Sequence, residues 1–180
     1  MNTAILHTKV QQFITDNLKT NITKLILKGS PFSDVSIQEL ANQIVSKQKS
    51  EHKLASWFRT AQIYYPSKIN IEQTSSEHTA NYKSNLVSGA SIIDITGGFG
   101  IDCFYFSKQF ETVTHCEINT ELSTIVAHNF KQLKINNITT FSGDALDFLR
   151  STKEKFDCIY IDPSRRDAVK GKVFLLQDCV

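Results

Sequence analysis

Ile92-Ile93-Asp94-Ile95-Thr96-Gly97-Gly98-Phe99-Gly100-Ile101-Asp102 is the stretch whose reading decides the fold. A short apolar run of β type ends on an acidic residue. It passes through three glycines and enters a segment with helical spacing. Glycine removes the Cβ, so the backbone there can turn sharply and press against a ligand. The helix that follows presents unpaired N–H groups to the same place. The spacing therefore predicts strand, glycine loop and helix, with residues 91–95 as the strand and 98–109 turning into the helix.

Downstream, the pattern repeats without the glycines. Residues 112–116, 138–141 and 156–161 read as strands. Residues 120–133 carry Leu122, Ile125, Val126, Phe130 and Leu133 on one helical face, with Asn119 as N-cap, and 145–149 read as a short helix. Strand–helix alternation with short loops predicts an α/β fold, a parallel sheet covered by helices. Ligands of such sheets bind beyond the carboxyl ends of the strands. Those ends carry the unusual residues: Asp94, Glu117, Ser142-Gly143-Asp144 and Asp162-Pro163-Ser164-Arg165.

This acidic rim selects among nucleotide cofactors. A dinucleotide fold requires G-x-G-x-x-G, but Cys103 stands where the third glycine belongs, and Asp94 would repel a pyrophosphate. An NAD-binding domain is therefore the last choice. A carboxylate at Asp94 suits a cationic amino group, Glu117 suits two ribose hydroxyls and Asp144 an adenine amine. S-adenosylmethionine (SAM) carries all three groups.

The pattern Asp94-x-Thr96-x-Gly98-x-Gly100 resembles the first motif of class I SAM-dependent methyltransferases. Over residues 73–167 the chain is similar to the RNA guanine-N2 methyltransferases. Asp102 lies two residues after the last glycine, and Gln73-Thr74-Ser75-Ser76-Glu77 resembles the segment that opens a helix before their first strand. The resemblance implies a Rossmann-like sheet and places Ser75, Ser76 and Glu77 near SAM. It also implies Asp94, aided by Asp102, on the methionine ammonium. Asp162-Pro163 resembles their D-P-P-aromatic motif, with Ser164-Arg165 in place of proline and the aromatic ring. The implied reaction is methylation of a base exocyclic amine in RNA. Asp162 and the Pro163 carbonyl would accept from the amine, Ser164 and Arg165 would stand beside it, and Arg165, Arg166, Lys170 and Lys172 would meet phosphate. Two other readings stand beside this one. The chain could methylate a small molecule or protein, or be a non-catalytic RNA-binding module on the same fold.

The first half differs. Leu6, Val10, Phe13, Ile14 and Leu18 mark one helix, and Ile37, Leu40, Ala41, Ile44 and Val45 another. Gly29-Ser30-Pro31 breaks the chain between them. Ser36 with Glu39 fits a capping box, as does Thr74 with Glu77 for a helix to about Asn85. Tyr64-Tyr65-Pro66 ends the helical region, and 69–71 reads as a short extended piece. Trp57 and Phe58 read as core anchors. Two domains are expected: a helical one over 1–72 and the SAM-binding one over 73–180.

Composition sets the outer limits. The 180 residues are 41% hydrophobic and 21% charged, enough for a packed core and unlike a disordered chain. No apolar run approaches the roughly 20 residues of a membrane span. The four cysteines form no C-x-x-C pair, and neither they nor the histidines have metal-ligand spacing. A reducing, cytoplasmic setting without a metal is expected. Residues 1–90 hold ten Lys/Arg against six Asp/Glu, mildly basic and compatible with RNA. Four strands are about half of a class I methyltransferase sheet, and the chain closes on an apolar run. An N-terminal piece of a longer protein is therefore expected, with an exposed sheet edge that could pair two copies.

Overall fold

The computed structural model describes residues 1–163 and, beyond them, the backbone of Arg166–Asp167 and Gly171–Lys172. A 3-10 turn, Thr3–Leu6, leads into α1 (Thr8–Asp16), α2 (Ile22–Lys28), α3 (Ile37–Lys53), α4 (Ala55–Arg59), α5 (Lys68–Gln73) and α6 (Glu77–Ser84). The α/β part follows as β1 (Ser91–Asp94), α7 (Ile101–Phe106), β2 (Thr112–Glu117), α8 (Thr120–Gln132), β3 (Ile138–Ser142), α9 (Ala145–Ser151) and β4 (Cys158–Tyr160).

The four strands form a parallel sheet in the order β3-β2-β1-β4. Position in the sheet explains their composition. Ile92 and Ile93 of β1 and Val113–Cys116 of β2 are buried, as the inner strands of a covered parallel sheet must be. In the outer strands burial is partial, and Ile159 is 52% exposed. After β3 the chain returns across the sheet to lay β4 beside β1. The strand order reverses between β1 and β4, and the glycine loop after β1 lies at that reversal.

Helix α7 has five buried residues among its six, because it is enclosed between the sheet and the helical layer. Trp57 of α4 is fully buried and meets the rings of Phe104 at 4.8 Å and Phe99 at 6.3 Å. One hydrophobic cluster runs from Ile5 to Phe130, through both the helical layer and the sheet.

The capping box at α3 forms as expected. The Ser36 hydroxyl accepts from Glu39 N, and the Glu39 carboxylate accepts from Ser36 N at 2.8 Å. Asn119 caps α8, its Oδ1 accepting from Leu122 N at 2.9 Å. One helix was not foreseen, and two expectations need correction. Helix α2 lies just before the Gly29-Ser30-Pro31 break, where the sequence marks no helix; Asn21 caps it and Leu25 anchors it. The piece at 69–71 is helical, part of α5. Ser67 caps it, Ile71 is fully buried, and the Lys53 ammonium closes its end on the Ile71 and Glu72 carbonyls. Thr74 is the C-cap of α5, so the N-cap of α6 is Ser76, and Glu77 turns elsewhere.

Candidate functional site

Asp94 closes β1 and is 2% exposed. Its Oδ1 accepts from Thr96 N at 2.9 Å and Thr96 Oγ1 at 3.0 Å, and its Oδ2 from Cys103 Sγ at 3.4 Å. Burial pushes the carboxyl up to about 6, with the Thr96 hydrogen bonds pulling against it. Asp94 thus sets the loop from within. Thr96 carries the consequence outward, its Oγ1 accepting from Asp162 N at 2.8 Å.

The glycines serve two different needs. A Cβ at Gly97 would lie 2.3 Å from the Cys116 carbonyl oxygen and 2.7 Å from His115 Nε2, so the loop rests on β2 through bare backbone. Gly100 has φ +79°, and a Cβ there would lie 2.6 Å from the Phe130 ring. Gly98 has φ +58°, but a Cβ there would meet only Thr96 O, at 3.8 Å. At Gly98 the loop faces open space. Below it, His115 Nε2 stands 3.2 Å from Gly98 O. Burial pushes this imidazole down to about 4, so it is neutral at pH 7, and Nε2–H donates to the carbonyl.

Glu117, the last residue of β2, accepts from Gly98 N at 2.9 Å and from Asn119 N at 2.7 Å. Burial raises its carboxyl above the ordinary glutamate value. Asp144 caps α9; its Oδ1 accepts from Leu146 N at 2.7 Å and Asp147 N at 3.4 Å. Two apolar side chains stand exposed beside these carboxylates, Ile118 at 72% and Leu146 at 52%.

The reversal between β1 and β4 gathers a second group. Asp102 accepts from Ser75 Oγ at 3.0 Å and pairs with the Lys83 ammonium at 3.2 Å. Lys83 also reaches Asp162 Oδ2 at 2.8 Å and Tyr160 OH at 2.5 Å. Of the segment before β1, Ser75 therefore joins this group. Ser76 caps α6, and Glu77 accepts from Ser56 N, Ser56 Oγ and Tyr105 OH, tying the helical layer to α7. Pro163 follows Asp162 half-buried. Ser164, Arg165 and Lys170, and the side chains of Arg166 and Lys172, lie outside the described residues.

Sequence reading overlooked Lys83 and Tyr160, which belong to no motif. A basic residue in the helix before β1 and a tyrosine in a strand are unremarkable until the topology brings them together. Among the described residues, no group of three His, Cys, Asp or Glu side chains is placed to hold a metal ion. No described helix is long and apolar enough to cross a membrane.

A family model described as conserved hypothetical protein 95 matches residues 66–176. Ribosomal RNA small subunit methyltransferase J of Francisella tularensis subsp. novicida is 30% identical over 81 residues, 41% of this chain and 34% of that protein. A solved structure from Porphyromonas gingivalis W83, described as an inferred methyltransferase, superposes with a TM-score of 0.77 at 26% identity. It covers 91% of this chain and 41% of that one. An O-methyltransferase from Bacillus cereus, solved with S-adenosylhomocysteine (SAH), shares the fold at a TM-score of 0.50 and 18% identity, over 71% of this chain and 64% of that one. The matched segment thus spans about a third of the Francisella protein. The sheet is a Rossmann-like methyltransferase sheet, as the glycine loop leads one to expect.

Proposed function

The chain belongs to the family described as conserved hypothetical protein 95, and from that premise we propose that it transfers the methyl group of SAM to an exocyclic base amine in RNA. The observation that carries the reading is the open glycine loop at the β1–β4 reversal, rimmed by Glu117, Asp144, Asp102 and Asp162. Similarity to a ribosomal RNA methyltransferase supports RNA as the substrate class.

SAM supplies an electrophilic methyl group on a sulfonium, and the protein's part is to hold and aim. Gly98 leaves room for the cofactor to approach the backbone closely. Ile118 and Leu146 offer exposed apolar surface to the flat adenine ring, beside carboxylates suited to ribose hydroxyls and the adenine amine. Asp102 and Asp162 meet on the ammonium of Lys83. Asp162 accepts a hydrogen bond from the target amine, aims its lone pair and stabilises the developing positive charge. Its position before Pro163 keeps its backbone extended.

The test is transfer of radiolabelled methyl from SAM to small-subunit ribosomal RNA from cells lacking the gene, with the product nucleoside identified by mass spectrometry. A methylated base amine is expected. Label appearing only in protein or small molecules would replace RNA as the substrate class.

A further inference from the structure

Four groups converge on the ammonium of Lys83. Ser75 Oγ lies at 2.9 Å, Tyr160 OH at 2.5 Å, Asp162 Oδ2 at 2.8 Å, and the two oxygens of Asp102 at 3.2 and 3.3 Å. They come from the segment before α6, from the end of β4 and the loop after it, and from α7. The Tyr160 hydroxyl also reaches Asp162, donating to the same Oδ2 at 3.2 Å. Both contacts to this carboxylate therefore end on one oxygen. Among the described residues no donor reaches Oδ1.

We propose that Lys83 is a positioning residue for methyl transfer: it fixes Asp162 through Oδ2 and so presents Oδ1 to the incoming amine. The inference rests on the methyl-transfer reading above. Its physical basis is the exposure of Asp162. The carboxylate is 55% exposed, whereas the Lys83 side chain is 23% exposed and its ammonium stands 5.2 Å from the Tyr160 ring centroid. An exposed carboxylate on a loop is free to rotate, and a half-buried cation held from three sides is a rigid post for it. Asp102, 14% exposed, holds the far side of the ammonium and keeps the post in place. Backbone geometry cooperates, since the Asp162 N–H is fixed to Thr96 Oγ1. Such pre-orientation acts on the chemical step and leaves cofactor affinity largely untouched.

Lys83→Met keeps the length of the stem and removes the charge. The full chain carrying it should bind SAH within about threefold of wild type by calorimetry, while exchange of the Asp162 amide accelerates about tenfold or more. With RNA from cells lacking the gene, kcat should fall about 30-fold or more while KM for SAM changes less than about threefold, and Lys83→Arg should recover part of the loss. Unchanged Asp162 exchange, or a loss carried by KM alone, overturns the proposal. Asp162→Asn breaks the pair from its exposed end, so release of the segment stays measurable if Lys83→Met does not fold. Wild-type protein that fails to bind SAH would instead overturn the methyl-transfer reading, and the exchange result would still report on the anchor.

Discussion

Asp94 and His115 are partners in the β1–β2 register, and burial acts on them with opposite sign. Asp94 titrates at about 6 in the folded chain against 3.8 ordinarily, so the folded state holds its proton more tightly, and stability falls as pH rises from about 4 to 6. His115 titrates at about 4 against 6.5, so the unfolded state binds the proton more tightly, and stability rises from about pH 4 to 6.5. Each effect is on the order of 3 kcal/mol, and the two nearly cancel. Urea unfolding across this window should show Asp94→Asn becoming more stable with rising pH, relative to wild type, and His115→Gln less stable. Gly97→Ala should cost about 3 kcal/mol or more, because the Cβ would collide with the Cys116 carbonyl, which cannot move aside.

At the level of elements, local chemistry was readable wherever a cap or a long period carried it. The Ser36–Glu39 box, Asn119 and the face of α8 could be placed because each depends on neighbours within one or two turns. Ser36→Ala should lower stability by about 1 kcal/mol in thermal unfolding. Helices α2 and α5 span seven and six residues, too few for the helical period to repeat. What makes α5 a helix is contact with α3, through Ile71 and the reach of Lys53, and tertiary contact leaves no local pattern. The same holds at the site. The glycine loop and the four acidic strand ends were legible because each is a short motif in a fixed topological place. Lys83 was not, because its partner Asp162 lies 79 residues away in sequence. Nor was the inward turn of Asp94 toward Thr96 and Cys103, which leaves Asp102 and Asp162 as the acidic groups paired with Lys83.

For the whole molecule, the helical layer is locked to α8 of the α/β part by a paired side-chain-to-backbone contact. Asn129 of α8 is buried; its Oδ1 accepts from Tyr64 N at 2.9 Å and its Nδ2 donates to Tyr64 O at 2.9 Å. Asn129→Ala leaves two buried backbone groups unpaired and should cost about 2–4 kcal/mol in urea unfolding. The shared core predicts one cooperative transition. Fluorescence of the single tryptophan, Trp57, packed against Phe104, should change together with the far-ultraviolet circular dichroism of the sheet and helices. Two separated transitions would mean that the layers unfold independently.

The most direct measurement is a calorimetric titration of the chain with SAH, with NADH as the control. One equivalent of SAH should bind, Gly98→Val should abolish binding by filling the open face of the loop, and NADH should give no heat. Uptake of NADH in place of the sulfur nucleoside would contradict the assignment of this acidic-rimmed loop.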